Sequence, residues 1–347
     1  MNSNYPSFSV IIIAYDRQDY LLGAVKSVLK QDYHKGETEI IVVKAFRDEE
    51  TDATLAENGV KNIYMNETSI GLKFHVGIMA SKNEIICFLE DDDLFLSSKL
   101  STIASIFMEH PDIDLTTNRY SIIDLEGTET ETKQYEKGRN FQNSSPMIIM
   151  DKEHYDFDMI SLLGFYFNNS RICLRRDSAL KISEELSRVG LLVDALIPTL
   201  SVDKKFTFCF VPEVLNLYRI RPFQSRLELL NAGKGKYEFI PLQNRVKAFL
   251  NDLNSLRDLE GITQDLQEFI NFLIPHEQLT LSFYKLDPQL CFASLLDLIR
   301  ASYPSRRNVF RKQIRGDFTL FLITVLVFPV FLVNRRLGRN LFTRLRG

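Results

Sequence analysis

Ile85-Ile86-Cys87-Phe88-Leu89, followed at once by Glu90-Asp91-Asp92-Asp93, is the stretch on which the reading of this chain turns. An unbroken apolar run of this length is the pattern of a strand buried on both faces, as in a parallel sheet. Four consecutive carboxylates repel one another, a cost that packing alone gives no reason to accept. A divalent cation beside a phosphorylated ligand offsets that repulsion, because hard cations take carboxylate oxygens and share phosphate oxygens. In open α/β sheets, ligands bind at the carboxyl ends of the strands, where these acids fall. In isolation the tetrad reads as a solvated acidic turn; its surroundings reverse that reading.

Outward from this point the first 117 residues alternate. Phe8 to Ala14 reads as a strand, and Arg17 to Gln31 has Leu21, Leu22, Val25, Val28 and Leu29 at helical spacing. Asp16 is placed as its N-cap. A strand at Glu39–Val43, a helix around Thr51–Glu57 and a short strand at Asn62–Met65 come next. Helix Leu72–Ser81, the strand Ile85–Leu89, helix Ser98–Glu109 and strand Ile113–Thr117 complete the pattern. Strands separated by helices predict a sheet, mostly parallel, with helices on both faces. Leu125 to Pro146 is polar and reads as a long loop. Apolar periodicity resumes over Ile172–Leu200, with a strand at Phe206–Val211. Residues 236–303 read as mainly helical, with Phe269, Phe272, Leu273, Leu279 and Leu281 as packing positions.

The chain of 347 residues carries a net charge of −3, which conceals an asymmetry. From Ser305 onward there are ten lysines and arginines against one acid, Asp317, so the remainder is distinctly acidic. A basic tail on an acidic body points to an anionic surface as partner. Within that tail, Phe318–Val333 is sixteen residues without a charge, roughly 24 Å as a helix and short of the hydrocarbon core. Positive charge on both sides favours a re-entrant or interfacial segment over a span, with a buried core helix as the alternative. Cys87, Cys173, Cys209 and Cys291 show no zinc spacing and no disulfide framework, so a reducing compartment is expected. The polar N-terminus reads as no signal peptide. No Walker loop and no G-x-G-x-x-G is present, which argues against an NTPase or a dinucleotide enzyme. His75, on a helix, has no Ser or Cys spaced for a triad and reads as structural.

Ser9-Val10-Ile11-Ile12-Ile13-Ala14-Tyr15-Asp16-Arg17 resembles the opening strand and turn of family-2 glycosyltransferases of GT-A fold. Gly71–Ala80 followed by Ile85–Asp93 is similar to that family's segment ending in L-D-A-D-D. Leu191-Leu192-Val193-Asp194-Ala195-Leu196 resembles the segment carrying its general base. Tyr218-Arg219-Ile220-Arg221 with Ser225 resembles its closing Y-R-x-H-x-x-S, without the His.

The resemblance implies an inverting, metal-dependent transfer from a nucleotide sugar, UDP- or GDP-linked, to a glycan or polyprenyl-linked acceptor, with no nucleic-acid partner. It places Mn²⁺ or Mg²⁺ on Asp92 and Glu90, and Asp194 as catalytic base. It assigns nucleotide-sugar contacts to Ala14, Tyr15, Arg17, Asp48, Lys73, Asp91, Arg219 and Arg221, with Tyr15 at the nucleobase. Where the family has Asp-Asp-Gly-Ser after its second strand, this chain has Lys44-Ala45-Phe46-Arg47-Asp48. Either Asp48 takes the base or ribose after a short insertion, or Lys44 faces the nucleotide. The expected layout is a catalytic domain over 7–225, a helical extension over 226–304 and a membrane-anchoring tail over 305–347, at the cytoplasmic face of the membrane. A non-catalytic nucleotide-sugar or glycan-binding protein of the same fold is the alternative.

Overall fold

The computed structural model describes residues 5–15, 18–34, 36–130, 147–150, 168–191, 193–220, 242–301, 327–329 and 331–346. The chain divides into two compact units, Met1–Tyr155 with Leu163–Arg221, and Asp156–Leu162 with Pro222–Gly347.

In the first unit the chain runs β1 (Phe8–Ala14), α1 (Gln18–Leu29), β2 (Thr38–Lys44), α2 (Glu49–Glu57), β3 (Lys61–Tyr64), α3 (Ile70–Ala80) and β4 (Ile85–Glu90). It continues through β5 (Leu94–Phe95), α4 (Lys99–Glu109), β6 (Leu115–Ile123), β7 (Ile148–Met150), a 3₁₀ turn (Asn169–Arg171), β8 (Ile172–Arg175), α5 (Arg176–Ser187), α6 (Val193–Asp203) and β9 (Phe208–Arg219). One sheet has the order β3-β2-β1-β4-β8-β6-β9-β5, with β7 also on β9. The four strands β3, β2, β1 and β4 are mutually parallel, and β8 closes antiparallel on β4.

The central strands β1 and β4 are almost wholly apolar because both their faces are covered. Phe8, Val10, Ile12, Val42, Cys87 and Leu89 share one buried cluster with Leu21 and Val25 of α1, Leu55 of α2 and Ile103 and Phe107 of α4. On the other face Phe74 of α3 meets Phe88 edge to face, 4.5 Å between ring centroids. A strand covered this way has no polar side to alternate with, which is why β1 and β4 read as continuous apolar runs.

Two strands extend past their expected ends. The second half of β6, out to Ile123, pairs in parallel with β9, which itself runs to Arg219 rather than stopping at Val211. Pro212 hid this extension. The register passes from Asn118↔Val211 to Arg119↔Val214, so Pro212 falls in an irregularity where its missing N–H is tolerated. The cysteines also differ from expectation. Cys87 and Cys173 stand directly opposite on antiparallel β4 and β8, Cα atoms 4.1 Å apart, with their sulfurs bonded. A separation of 86 residues gave no hint of that pairing. Asp16, and the loop from residue 131 to 146, lie outside the described residues.

The second unit holds α7 (Leu242–Arg257), α8 (Gln264–Lys285), α9 (Pro288–Ala301) and α10 (Arg335–Arg346). Leu279 and Leu281 are buried as their spacing implied. Among the described residues no helix is long and apolar enough to cross a membrane.

Candidate active site

In the order β3-β2-β1-β4 the chain moves outward from β1 to β2 and β3, then returns to the other side of β1 to form β4. This reversal opens a crevice at the carboxyl ends of β1 and β4, where open α/β sheets bind ligands. Ile13 of β1 is in register with Glu90 of β4. The residues just past them, Ala14-Tyr15 and Asp91-Asp92-Asp93, therefore leave the sheet side by side.

The acidic turn rests on a polar scaffold rather than in solvent. Asp91, Asp92 and Asp93 are all buried. Asp93 Oδ1 accepts from the backbone N–H of Arg219 at 2.9 Å, and Oδ2 accepts from the Ser170 hydroxyl and from Asn168 Nδ2. The Ser170 hydroxyl also accepts the Glu90 backbone N–H, and Asn169 Nδ2 donates to Glu90 Oε1 at 2.8 Å. Behind these lie two fully buried cations. Lys99 Nζ donates to the Ser170 carbonyl at 2.7 Å and to Asn118 Oδ1 at 3.1 Å. Arg171 Nε donates to the Asn118 carbonyl, with its guanidinium over the Tyr120 ring.

Burial, reinforced by Asp92 and Glu90, holds the Asp93 carboxyl well above the usual carboxylate range. Burial beside Arg171 holds the Lys99 ammonium well below its own range, against the opposing pull of Asp93. Burial lowers Arg171 to about 10. The fold thus supplies its own answer to part of the repulsion in the tetrad: Asp93 is spent internally, stitching the end of β4 to the end of β9. Asp93 does not cap α4, whose N-cap position is Ser98.

Arg219 completes that stitch. Its Nε donates to the Asp92 carbonyl and its Nη1 to the carbonyls of Asp124 and Leu125, while the guanidinium stacks over Tyr20 at 4.7 Å. These bonds hold the backbone of the acidic turn. Arg17 and Arg221 lie outside the described residues.

At the end of β1, Tyr15 is 46% exposed, and the buried Lys73 of α3 places its ammonium 4.8 Å from the centre of the Tyr15 ring. An open aromatic face beside a cation suits a base and a diphosphate. The start of α3 is fastened to the loop after α5. Ser69 caps α3 by accepting from the Leu72 N–H, and donates its hydroxyl to the Val189 carbonyl at 2.8 Å. The Ile70 N–H reaches the Gly190 carbonyl. Gly71 is required there, since a Cβ would stand 2.0 Å from the Leu186 carbonyl oxygen. A few residues later the chain enters α6, which carries the half-buried Asp194 in its first turn. His75 joins the same helices through Ser183, with 2.8 Å between Nδ1 and the hydroxyl, a structural role as its isolation implied.

At the end of β2 neither candidate faces outward as an unused group. Lys44 is fully buried, ion-paired to Asp52 at 2.7 Å and bonded to the Phe46 carbonyl. Asp48 is the N-cap of α2 and accepts the Thr51 N–H at 2.8 Å. Hydrogen bonding from the Thr51 side chain, then from its backbone N–H, lowers the Asp48 pKa.

Among the described residues no three acid, His or Cys side chains converge as a closed metal centre. A Mg²⁺-type ion needs only one or two protein carboxylates, with phosphate oxygens and water filling the rest. The hard oxygen donors at the end of β4 fit that kind of site. Sequence reasoning missed Lys99, Asn118, Ser170 and Arg171. The polar run Asn168-Asn169-Ser170-Arg171 immediately before an apolar strand was the available signal.

Residues 9–169, just under half of the chain, match the family model for glycosyl transferase family 2. Poly(ribitol-phosphate) β-N-acetylglucosaminyltransferase TarS of Staphylococcus aureus is 29% identical over 112 residues, 30% of this chain and 19% of that protein. An uncharacterized glycosyltransferase of Nostoc sp. is 31% identical over 105 residues, 28% of this chain and 32% of that one. The matched stretches thus span a fifth to a third of these relatives. Among solved structures, S. aureus TarS 1–349 in complex with UDP-GlcNAc superposes with a TM-score of 0.59 at 13% identity, covering 98% of this chain and 90% of that one. The likeness shows the fold, which is GT-A.

Proposed function

We propose that this chain, whose residues 9–169 match the glycosyl transferase family 2 model, transfers a sugar from a nucleotide-linked donor to a glycan or polyprenyl-linked acceptor, with a divalent cation and with inversion. The observation that carries this reading is the acidic turn Glu90–Asp93, held at the reversal of the sheet by Asn168, Asn169, Ser170 and Arg219. A fold that spends four side chains and two buried cations on one turn is fixing the direction of its remaining carboxylates. The relative solved with UDP-GlcNAc favours a UDP-linked donor.

In this reading Asp92, with Asp91 or Glu90 beside it, would hold Mn²⁺ or Mg²⁺. The ion supplies neutralisation of the charge left on the departing nucleotide. Tyr15 offers its exposed face to the base, and Lys73 adds a fixed positive charge next to it. Asp194 takes the proton from the acceptor hydroxyl as that oxygen attacks the anomeric carbon from the face opposite the nucleotide. The sugar–phosphate bond breaks as the new glycosidic bond forms, so the configuration inverts.

The test is a panel of UDP- and GDP-sugars, followed by kinetics on the donor that binds. If a sugar hydroxyl is the acceptor, Asp194→Asn lowers kcat by about two orders of magnitude with donor KM nearly unchanged. A variant within about threefold of wild type removes Asp194 as base and moves the acceptor to a lipid phosphate, which is already an anion. No metal-dependent donor binding across the panel would overturn the enzymatic reading itself.

A further inference from the structure

The chain from Val327 onward doubles back on α8. Phe331 and Phe342 are both buried against Phe283, the Phe342 ring stacked on it at 3.9 Å and Phe331 at 4.7 Å between centroids. Gly338 lets α10 cross Phe331 this closely, since a Cβ there would stand 2.4 Å from the Phe331 Cα. Asn334 caps α10 by accepting the Leu337 N–H, and Arg335 donates to the Leu286 carbonyl at the end of α8. The orientation of this hairpin is therefore fixed.

With the aromatic side committed inward, the opposite side faces solvent. Val333 is 90% exposed, Leu332 56% and Leu337 49%. Phe292 of α9 is also exposed, its ring stacked against Phe328. Arg335 and Arg336 stand beside this apolar tip, and α10 carries five arginines and no acid. A core element does not present aliphatic side chains such as Leu332, Val333 and Leu337 to water next to a row of cations. Such a pattern is what a membrane-surface helix shows, with its apolar residues at the acyl boundary and its arginines at the headgroups.

We propose that the hairpin tip Leu332–Val333, with Leu337 and the arginines of α10, docks this protein onto an anionic lipid bilayer without crossing it. A soluble polyanion would need the arginines alone; Val333 and Leu332 are what favour lipid. This goes beyond the proposed transfer reaction and does not depend on it, because its readout is partitioning rather than turnover.

The experiment is co-sedimentation of the full chain with phosphatidylcholine vesicles, plain or with roughly a third phosphatidylglycerol, alongside capture on soluble polyphosphate. Binding is expected to the anionic vesicles only and to weaken with salt. Arg336→Ala should weaken it about fivefold, the contribution of one basic residue at a charged surface. Leu332→Asp with Val333→Asp should abolish it, although both positions are exposed and an acid before α10 suits its N-terminus, so the fold is kept. Equal binding to both vesicle types would overturn the proposal. So would anionic binding untouched by the double aspartate variant, or capture on polyphosphate as tight as on vesicles. A variant that instead dissolves a dimer would assign the tip to a second copy of the chain and overturn it equally.

Discussion

Two acid-rich segments leave the same parallel sheet, and in composition they are almost twins: Asp48-Glu49-Glu50-Thr51-Asp52 after β2 and Glu90-Asp91-Asp92-Asp93 after β4. In the structure they are opposites. The first is an ordinary helix start. Asp48 caps α2, Glu49, Glu50 and Asp52 lie in its first turn where acids complement the helix dipole, and Asp52 neutralises Lys44. In the second Asp91, Asp92 and Asp93 are buried, and the side chains and backbone are held by Asn168, the 3₁₀ turn and Arg219 of β9. Acid content does not mark a site; acids that a fold takes out of water and holds in place do.

The sharpest break of this comparison comes from removing one carboxylate from the second segment. Asp92→Asn should lower turnover by about three orders of magnitude, the range for losing a group that stabilises transition-state charge, with thermal stability close to wild type. Chelation of wild type should match it. A fully active Asp92→Asn enzyme would reduce the second segment to the status of the first. Next in size is Asp93→Ala. It strips a hydroxyl, an amide and a backbone N–H of their acceptor and removes the carboxyl whose pull favours the buried Lys99 ammonium. The expected cost is about 3 kcal/mol of stability, read by denaturant unfolding. A cost under about 1 kcal/mol would show that the scaffold is not organised around this carboxyl.

The smallest effect belongs to the first segment. Asp48→Ala should leave kcat and donor KM within about twofold, because a cap residue acts on its helix and not on the reaction. Its folded pKa is depressed, so its contribution to stability is fully present above the ordinary carboxylate value of 3.8 and is lost as pH falls through the lowered one. The stability difference between wild type and Asp48→Ala should therefore vanish in strong acid. A large rise in donor KM in this variant would instead return Asp48 to the nucleotide and merge the two segments.

Much of the fold was open to sequence reading, for identifiable reasons. Strands β1 and β4 are buried on both faces and so are written as apolar runs; α1 and α4 keep one apolar stripe against the sheet. The site was legible where it follows directly from a strand end, at Tyr15 and Glu90–Asp93. It was illegible where it depends on what another strand brings. Arg219 resembles a phosphate-binding arginine in a motif; that its Nε and Nη1 donate to the carbonyls of Asp92, Asp124 and Leu125 is visible only in the structure. Lys44 appears free to meet a nucleotide until Asp52 and Phe46 enclose it.

Periodicity and local chemistry are properties of consecutive residues, and from them the sequence by itself determined the alternating α/β order, the acidic turn at a strand end and the basic, apolar C-terminal segment. Which acids are spent inside, which cation faces which carboxylate, that Cys87 meets Cys173 and that Val333 stands in water were decided only by the tertiary structure. Most of those facts depend on partners far along the chain, such as Arg219 for Asp93, 126 positions away. A side chain's energy in a protein is set by the dielectric and the partners that distant segments bring to it, and residue order carries no direct record of either.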